Sequence, residues 1–223
     1  VKNPRILILG MSASGNSTLV KNILSHYAET PISLIVDNTY HNTYHNPYEG
    51  YENVYENYIA NDGTNLIEKS FELDKPRPTK DRIVVLENIS RNHCLIKDKR
   101  FDELLFNSKH YNITPIITME FPAGLKPEIR IQFDYVFIFA QNNINNLKRI
   151  YDHYGGCIAS FGAFKNIMSS VCIDNKCLVI VHRDISNNIN NKLFEYTVNQ
   201  NLDGNADSND LECHNNDNND NYN

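Results

Sequence analysis

The sequence predicts an α/β fold: a mainly parallel central sheet with helices on both faces. Two observations carry this. The strand candidates are apolar at consecutive positions rather than alternate ones, as in strands buried on both sides, and they are separated by segments whose apolar residues recur at helical spacing. A glycine- and serine-rich turn, "GMSASGNST" from Gly10 to Thr18, joins the first such strand to the first helix.

In chain order, "RILILG" (5–10) reads as a buried strand, and Leu19, Val20, Ile23, Leu24 and Tyr27 then recur as one face of a helix that Thr30 and Pro31 stop. "ISLIV" (32–36) is a second strand, followed by a Tyr/Asn-rich stretch, a helical patch from Asn65 to Phe71 and the breaker-rich "DKPRPTKD". Strands follow at 82–87, 114–119 and 135–140, with a helix at 101–110 between the first two. Helices at about 142–154 and 159–170 precede terminal strands at 177–182 and 192–198.

With 223 residues, 41% of them hydrophobic, the chain can bury one sizeable core, and one domain over 1–200 is expected. No apolar run approaches the roughly 20 residues of a spanning helix and no basic-then-apolar leader opens the chain, so a soluble, intracellular protein is expected. The sequence starts at Val1 without an initiator methionine and enters a strand almost at once, which suggests trimming or a fragment with an upstream segment. The five cysteines, Cys94, Cys157, Cys172, Cys177 and Cys213, form no C-x-x-C pair and read as reduced thiols.

The net charge of −6 divides unevenly. Residues 201–223 carry six acids and no lysine or arginine, which leaves 21 acids balancing 21 bases in the body. That tail is Asn/Asp-rich with almost no apolar content and is expected to be disordered. The second biased stretch, 38–58, places tyrosines at 40, 44, 48, 51, 55 and 58 and reads as a low-complexity surface loop. His41 and His45 stand four apart in it, but no third metal ligand accompanies them. Stacking of those tyrosines on nucleic-acid bases is a competing reading.

The turn has the layout of a phosphate-binding loop, G-x-x-x-x-G-K-[ST], with one residue changed. Gly10 makes the tight turn, Gly15 leads into a helix whose N-terminal amides face an anion, and Ser17 falls where a hydroxyl ligates Mg2+. Gly10, Ser12, Ser14, Gly15, Asn16, Ser17 and Thr18 are therefore the candidate nucleotide-binding residues. Asn16 stands in place of the lysine that pairs with the β- and γ-phosphates. It can donate a hydrogen bond but brings no charge, so hydrolysis should suffer more than binding.

The second half of such a site is an apolar strand ending in two acids, one for the metal and one to polarise water. "RIVVLENIS" (82–90) ends instead in Glu87 and Asn88. Glu87 retains a carboxylate for the Mg2+ shell, whereas Asn88 cannot accept a proton.

From Phe106 to Phe139 a further set of residues carries a resemblance: Asn107, Lys109, His110, Tyr111, Asn112, Ile113 and Thr114, then Thr118, Met119 and Glu120, then Pro122, Pro127, Arg130, Asp134 and Tyr135. With "IYDHYGG", "FGAFKNIM", "CLVIVHR" and "LFEYTV" further on, this pattern resembles the virion DNA-packaging ATPases of poxviruses and giant viruses, a branch of the FtsK-HerA group of P-loop NTPases. The similarity runs from about residue 4 to 198. It implies a RecA-like ASCE fold that binds ATP and Mg2+ between the subunits of a ring and drives double-stranded DNA into a capsid. A viral factory, a virion or the host cytoplasm would be the setting.

Carried over position by position, the resemblance makes Asn16, Glu87, Asn88 and Glu120 the catalytic positions and Ser17 and Glu87 the metal ligands. It places Glu120 where glutamine is usual and Lys109 where arginine is usual. The departures fall on the chemistry while the scaffold matches, which implies a retained fold with attenuated or abolished hydrolysis. Glu120 adds negative charge where the γ-phosphate would be sensed. A compensating cation is not obvious: Lys21 lies a helical turn too far along, and Lys109 or Arg130 would act from a neighbouring subunit. Lys97, Lys99, Arg100, Lys126 and Arg130 are candidate DNA contacts, and a solvated charge run explains them equally well. Three functions compete: a nucleotide-binding packaging ATPase-like protein with weak or lost hydrolysis, a non-catalytic paralogue that joins a packaging complex through partners in a homo- or hetero-oligomeric ring, and an ordinary active ATPase with an unusual site.

Overall fold

The computed structural model describes residues 2–37, 47–59, 62–72, 80–122, 124–184, 186 and 188–200. His41, His45, Tyr40, Tyr44 and the acidic tail lie outside the described residues. The chain begins β1 (Ile6–Leu9), α1 (Asn16–Ser25), β2 (Ile32–Asp37), β3 (Val54–Tyr55), α2 (Leu66–Glu72) and β4 (Arg82–Glu87). It continues α3 (His93–Lys97), α4 (Lys99–Asn107), β5 (Ile113–Met119), α5 (Pro127–Arg130) and β6 (Tyr135–Ile138). It closes with α6 (Ile144–Tyr154), α7 (Phe161–Val171), β7 (Lys176–Val181) and β8 (Leu193–Thr197).

The strands form one sheet in the order β3-β2-β4-β5-β1-β6-β7-β8. Its first six members run parallel, and β7 and β8 add an antiparallel edge. All residues of β1, β4 and β5 are buried, as consecutive apolar runs require in a sheet covered on both faces. β1 lies between β5 and β6, so the loop after it leaves from the middle of the sheet at the carboxyl end of the parallel strands, and β5 separates it from β4. Ligands of open α/β sheets bind at that end.

The two faces are covered unequally. Leu19, Val20, Ile23 and Leu24 of α1 pack on Ile6, Ile8, Ile35, Ile83, Val85 and Ile116, where Tyr48 joins them. The other face is larger and takes the apolar sides of α2 to α7, including Phe101, Leu104, Ile129, Leu147 and Phe164. Burying each such side chain contributes about 1.5–3 kcal/mol before ordering entropy.

The helix boundaries follow from caps. Asp98 accepts from the Arg100 amide and starts α4 two residues before the apolar pattern does. Asn143 and Ser160 do the same for α6 and α7. The 38–58 stretch departs from a pure surface loop where it is described. Tyr48 is 1% exposed, Tyr58 is buried, and Val54 and Tyr55 pair with β2 as a short edge strand. The tyrosines supply apolar area that composition alone conceals.

Candidate nucleotide site

The loop after β1 is anchored at both ends. The Gly10 amide donates to the Met119 carbonyl of β5 at 3.0 Å, and the Leu19 amide donates to the Gly15 carbonyl at 2.8 Å. Gly15 caps α1 in the left-handed region, φ 102°, a conformation that suits glycine. A Cβ on Gly10 would lie 2.1 Å from Asn16 Oδ1 and 2.3 Å from Ser14 Oγ, with the Phe139 ring 2.9 Å away. The turn is therefore shaped tightly around Phe139.

Among the described residues no side chain caps α1, and its first turn holds no acid, whereas Asn, Asp or Ser side chains cap α3, α4, α6 and α7. The first-turn amides of a helix have no intrahelical acceptor, and a helix start without a side-chain cap suits an anion. Ser12 is exposed, and Ser14, Gly15, Asn16, Ser17 and Thr18 are half-buried around that opening.

Asn16 turns back onto the loop. Its Nδ2 donates to the Gly10 carbonyl at 2.8 Å, and its Oδ1 accepts from the Ser14 hydroxyl at 3.2 Å. The amide closes the loop on itself without bringing a positive charge. One residue on, the Ser17 hydroxyl donates to Glu87 Oε1 at 2.8 Å. Glu87, the last residue of β4, is 2% exposed. The hydroxyl and carboxylate form an oxygen-only donor pair of the kind that suits a hard cation such as Mg2+.

Asn88 follows in the left-handed region, φ 50°, with its amide bonded to the Thr118 hydroxyl at 2.8 Å. Its side-chain Oδ1 is buried without a hydrogen-bond partner among the described residues. Just after β5, the Glu120 amide donates to Ser90 Oγ at 3.0 Å and its carboxylate pairs with Arg91 Nη2 at 2.8 Å. Arg91, at the turn after β4, restores a cation beside Glu120, so the added negative charge expected from the sequence does not stand alone.

Three contributors were missed in the sequence reading. Arg91 is one. Asp37, the last residue of β2, is 3% exposed and pairs in register with Glu87. Tyr48 packs edge-on to Tyr51. Burial, then the charge of Glu87 and a hydrogen bond to it, and the charge of Asp37, raise the Tyr48 hydroxyl well above its ordinary pKa. The sequence signal for Asp37 is that β2, like β4, ends in an acid.

Other candidates lie elsewhere. Lys109 pairs with Asp134 Oδ1 at 3.2 Å, and the same carboxylate takes the Arg5 amide at 2.9 Å, at the amino ends of β1 and β6, the opposite end of the strands from the loop. Burial acts to raise the Asp134 pKa, but the Arg5 amide, Lys109 and their charges outweigh it and hold it below the usual range. Among the candidate DNA contacts, Arg100 is paired with Glu68 at 3.0 Å and Lys126 with Asp102. A cavity of about 410 Å³ between the start of α6 and α7, lined by Gln141, Lys165 and Met168 among others, involves no residue of the loop. Among the described residues no helix is long and apolar enough to cross a membrane, and no group of three metal-ligating His, Cys, Asp or Glu side chains occurs.

No family model matches the sequence. An uncharacterized protein of Acanthamoeba polyphaga mimivirus is 26% identical over 208 residues, covering 87% of this chain and 72% of that protein. An uncharacterized protein of Invertebrate iridescent virus 3 is 24% identical over 204 residues, covering 89% of this chain and 78% of its own length. Among solved structures, the genome packaging NTPase B204 from Sulfolobus turreted icosahedral virus 2 in complex with AMPPCP matches with a TM-score of 0.62. The identity is 17%, over 88% of this chain and 98% of that one. The pCW3 conjugation coupling protein TcpA matches with a TM-score of 0.56 at 14% identity, over 82% of this chain and 58% of that one. The fold, a mainly parallel sheet with helices on both faces, is that of these P-loop ATPases, with β5 lying between the strand that leads into the loop and the strand that ends in Glu87.

Proposed function

We propose that the chain is a divergent viral-type DNA-packaging ATPase-like protein that binds ATP with Mg2+ in its phosphate loop and has weak or lost ATP hydrolysis. The observation that carries this is the Asn16 side chain, bonded to Gly10 and Ser14 where a phosphate-pairing cation would stand. The loop amides and the uncapped start of α1 would hold the β- and γ-phosphates. Ser17 and Glu87 would hold Mg2+, which when bound neutralises charge on the phosphates. Asn88 positions its backbone through Thr118 but cannot take a proton from an attacking water.

Viral relatives over most of the chain and a genome packaging NTPase of like fold support DNA as the substrate; a homo- or hetero-oligomeric ring acting on double-stranded DNA inside the infected cell, away from membranes, is the form this reading takes. Thermal unfolding with millimolar AMPPCP and Mg2+ tests binding: a ligand at 100 times its Kd stabilises by about 2.7 kcal/mol and raises Tm. An unchanged Tm rejects nucleotide binding.

The neutral Asn88 supports a second reading, a non-catalytic paralogue serving as a structural subunit of a packaging complex. Its mark would be association with an active packaging ATPase without any response to nucleotide.

A further inference from the structure

β2 and β4 are each six residues long, each ends in an acid, and their register sets Asp37 opposite Glu87. Parallel neighbours in register present side chains to the same face. Two residues earlier, Ile35 and Val85 both pack on the α1 side. Asp37 and Glu87 therefore face α1, where Ser17 already reaches Glu87 at 2.8 Å. Both residues are buried, at 3% and 2% exposure, and their backbones stand about one strand spacing (~4.8 Å) apart. Two carboxylates and a hydroxyl on that face are an oxygen-only donor set of the kind a hard cation takes.

We propose that Asp37 is the second acid of the metal site: Asp37 and Glu87 from neighbouring strands, with the Ser17 hydroxyl from α1, supply the oxygen ligands for the Mg2+ of a bound nucleotide. The second carboxylate lies across the sheet rather than along β4, where Asn88 is neutral. Its place beside Glu87 suits the metal and not the attacking water. This rests on the nucleotide-binding reading.

The test is a titration of the full chain with Mn2+, read by the electron paramagnetic resonance signal of the free ion, with and without AMPPCP. AMPPCP binding in EDTA is followed separately. In wild type, AMPPCP should create a Mn2+ site. Asp37→Asn should weaken it by about tenfold to a hundredfold while leaving AMPPCP binding in EDTA unchanged. Asp37→Glu, which keeps the carboxylate, should keep the Mn2+ site and so supports the proposal even if Asp37→Asn folds poorly.

Wild-type Mn2+ affinity in Asp37→Asn overturns the proposal, as does equal loss in Asp37→Asn and Asp37→Glu. Wild type that binds AMPPCP in EDTA but gains no Mn2+ site overturns it while nucleotide binding stands. Wild type that binds neither overturns both.

Discussion

The Ser17 hydroxyl on α1 meets Oε1 of Glu87 on β4 at 2.8 Å, although β5 lies between β1 and β4 in the sheet. The loop crosses above β5, whose Met119 carbonyl holds the Gly10 amide, and so delivers α1 to the end of β4. Ser17→Ala removes the donor from a buried carboxylate and should cost about 1–3 kcal/mol of stability, measured by urea unfolding. It should also weaken Mn2+ binding in the presence of AMPPCP.

Asn16→Lys replaces the loop-closing amide with a charge. A cation facing the phosphates should raise ATP affinity about tenfold, near 1.4 kcal/mol, measured by isothermal titration. Hydrolysis should stay low, because Asn88 still cannot accept a proton. Adding Asn88→Asp should raise turnover by about 100-fold or more.

Gly10→Ala places a methyl within 2.9 Å of the Phe139 ring and inside the Asn16 and Ser14 contacts. The loop must open to accommodate it. A stability loss of about 1–3 kcal/mol is expected, together with loss of the AMPPCP-dependent rise in Tm.

Arg91 and Glu120 form a pair that is 42% and 24% exposed at the side chains, so its contribution to stability is small, within about 1 kcal/mol. Glu120→Gln should leave the urea midpoint nearly unchanged. It releases Arg91 toward the phosphates and should increase ATP affinity a few-fold, with salt sensitivity greater than that of wild type.

His182 stacks on Tyr154 with ring centroids 5.7 Å apart, and its Nε2 lies 3.3 Å from the Tyr154 carbonyl. Burial, aided by the charge of Lys192 and opposed by that carbonyl, holds its pKa below 6.5. His153 is shifted the same way, by burial and Arg130. Between the folded pKa and the unfolded one, the unfolded chain binds more protons, so stability falls as pH drops through that window. Tm should decline below about pH 6.5, and His182→Gln should flatten the decline.

The strands that carry the site were legible because their residues are apolar at every position, and the loop because glycine spacing and a following helix occur together. Asn16, Glu87, Asn88 and Glu120 could be placed by order along the chain. Asp37 could not, since its meeting with Glu87 depends on β2 and β4 being neighbours in register, and nothing local encodes that pairing. Arg91 was hidden by the same kind of dependence, its partner Glu120 being 29 residues away. Tyr48 was masked by composition: it lies in a run of tyrosines, and no periodicity distinguishes the buried ones from the rest.

The most direct measurement is the fate of ATP bound to the purified chain in Mg2+, followed by separating bound nucleotide and quantifying ATP and ADP over time. The expected result is a stoichiometric complex in which the nucleotide remains ATP, with turnover far below 1 s⁻¹, the lower range typical of enzymes. Release of ADP at about 1 s⁻¹ or faster would contradict a site that has kept its phosphate loop and lost its chemistry.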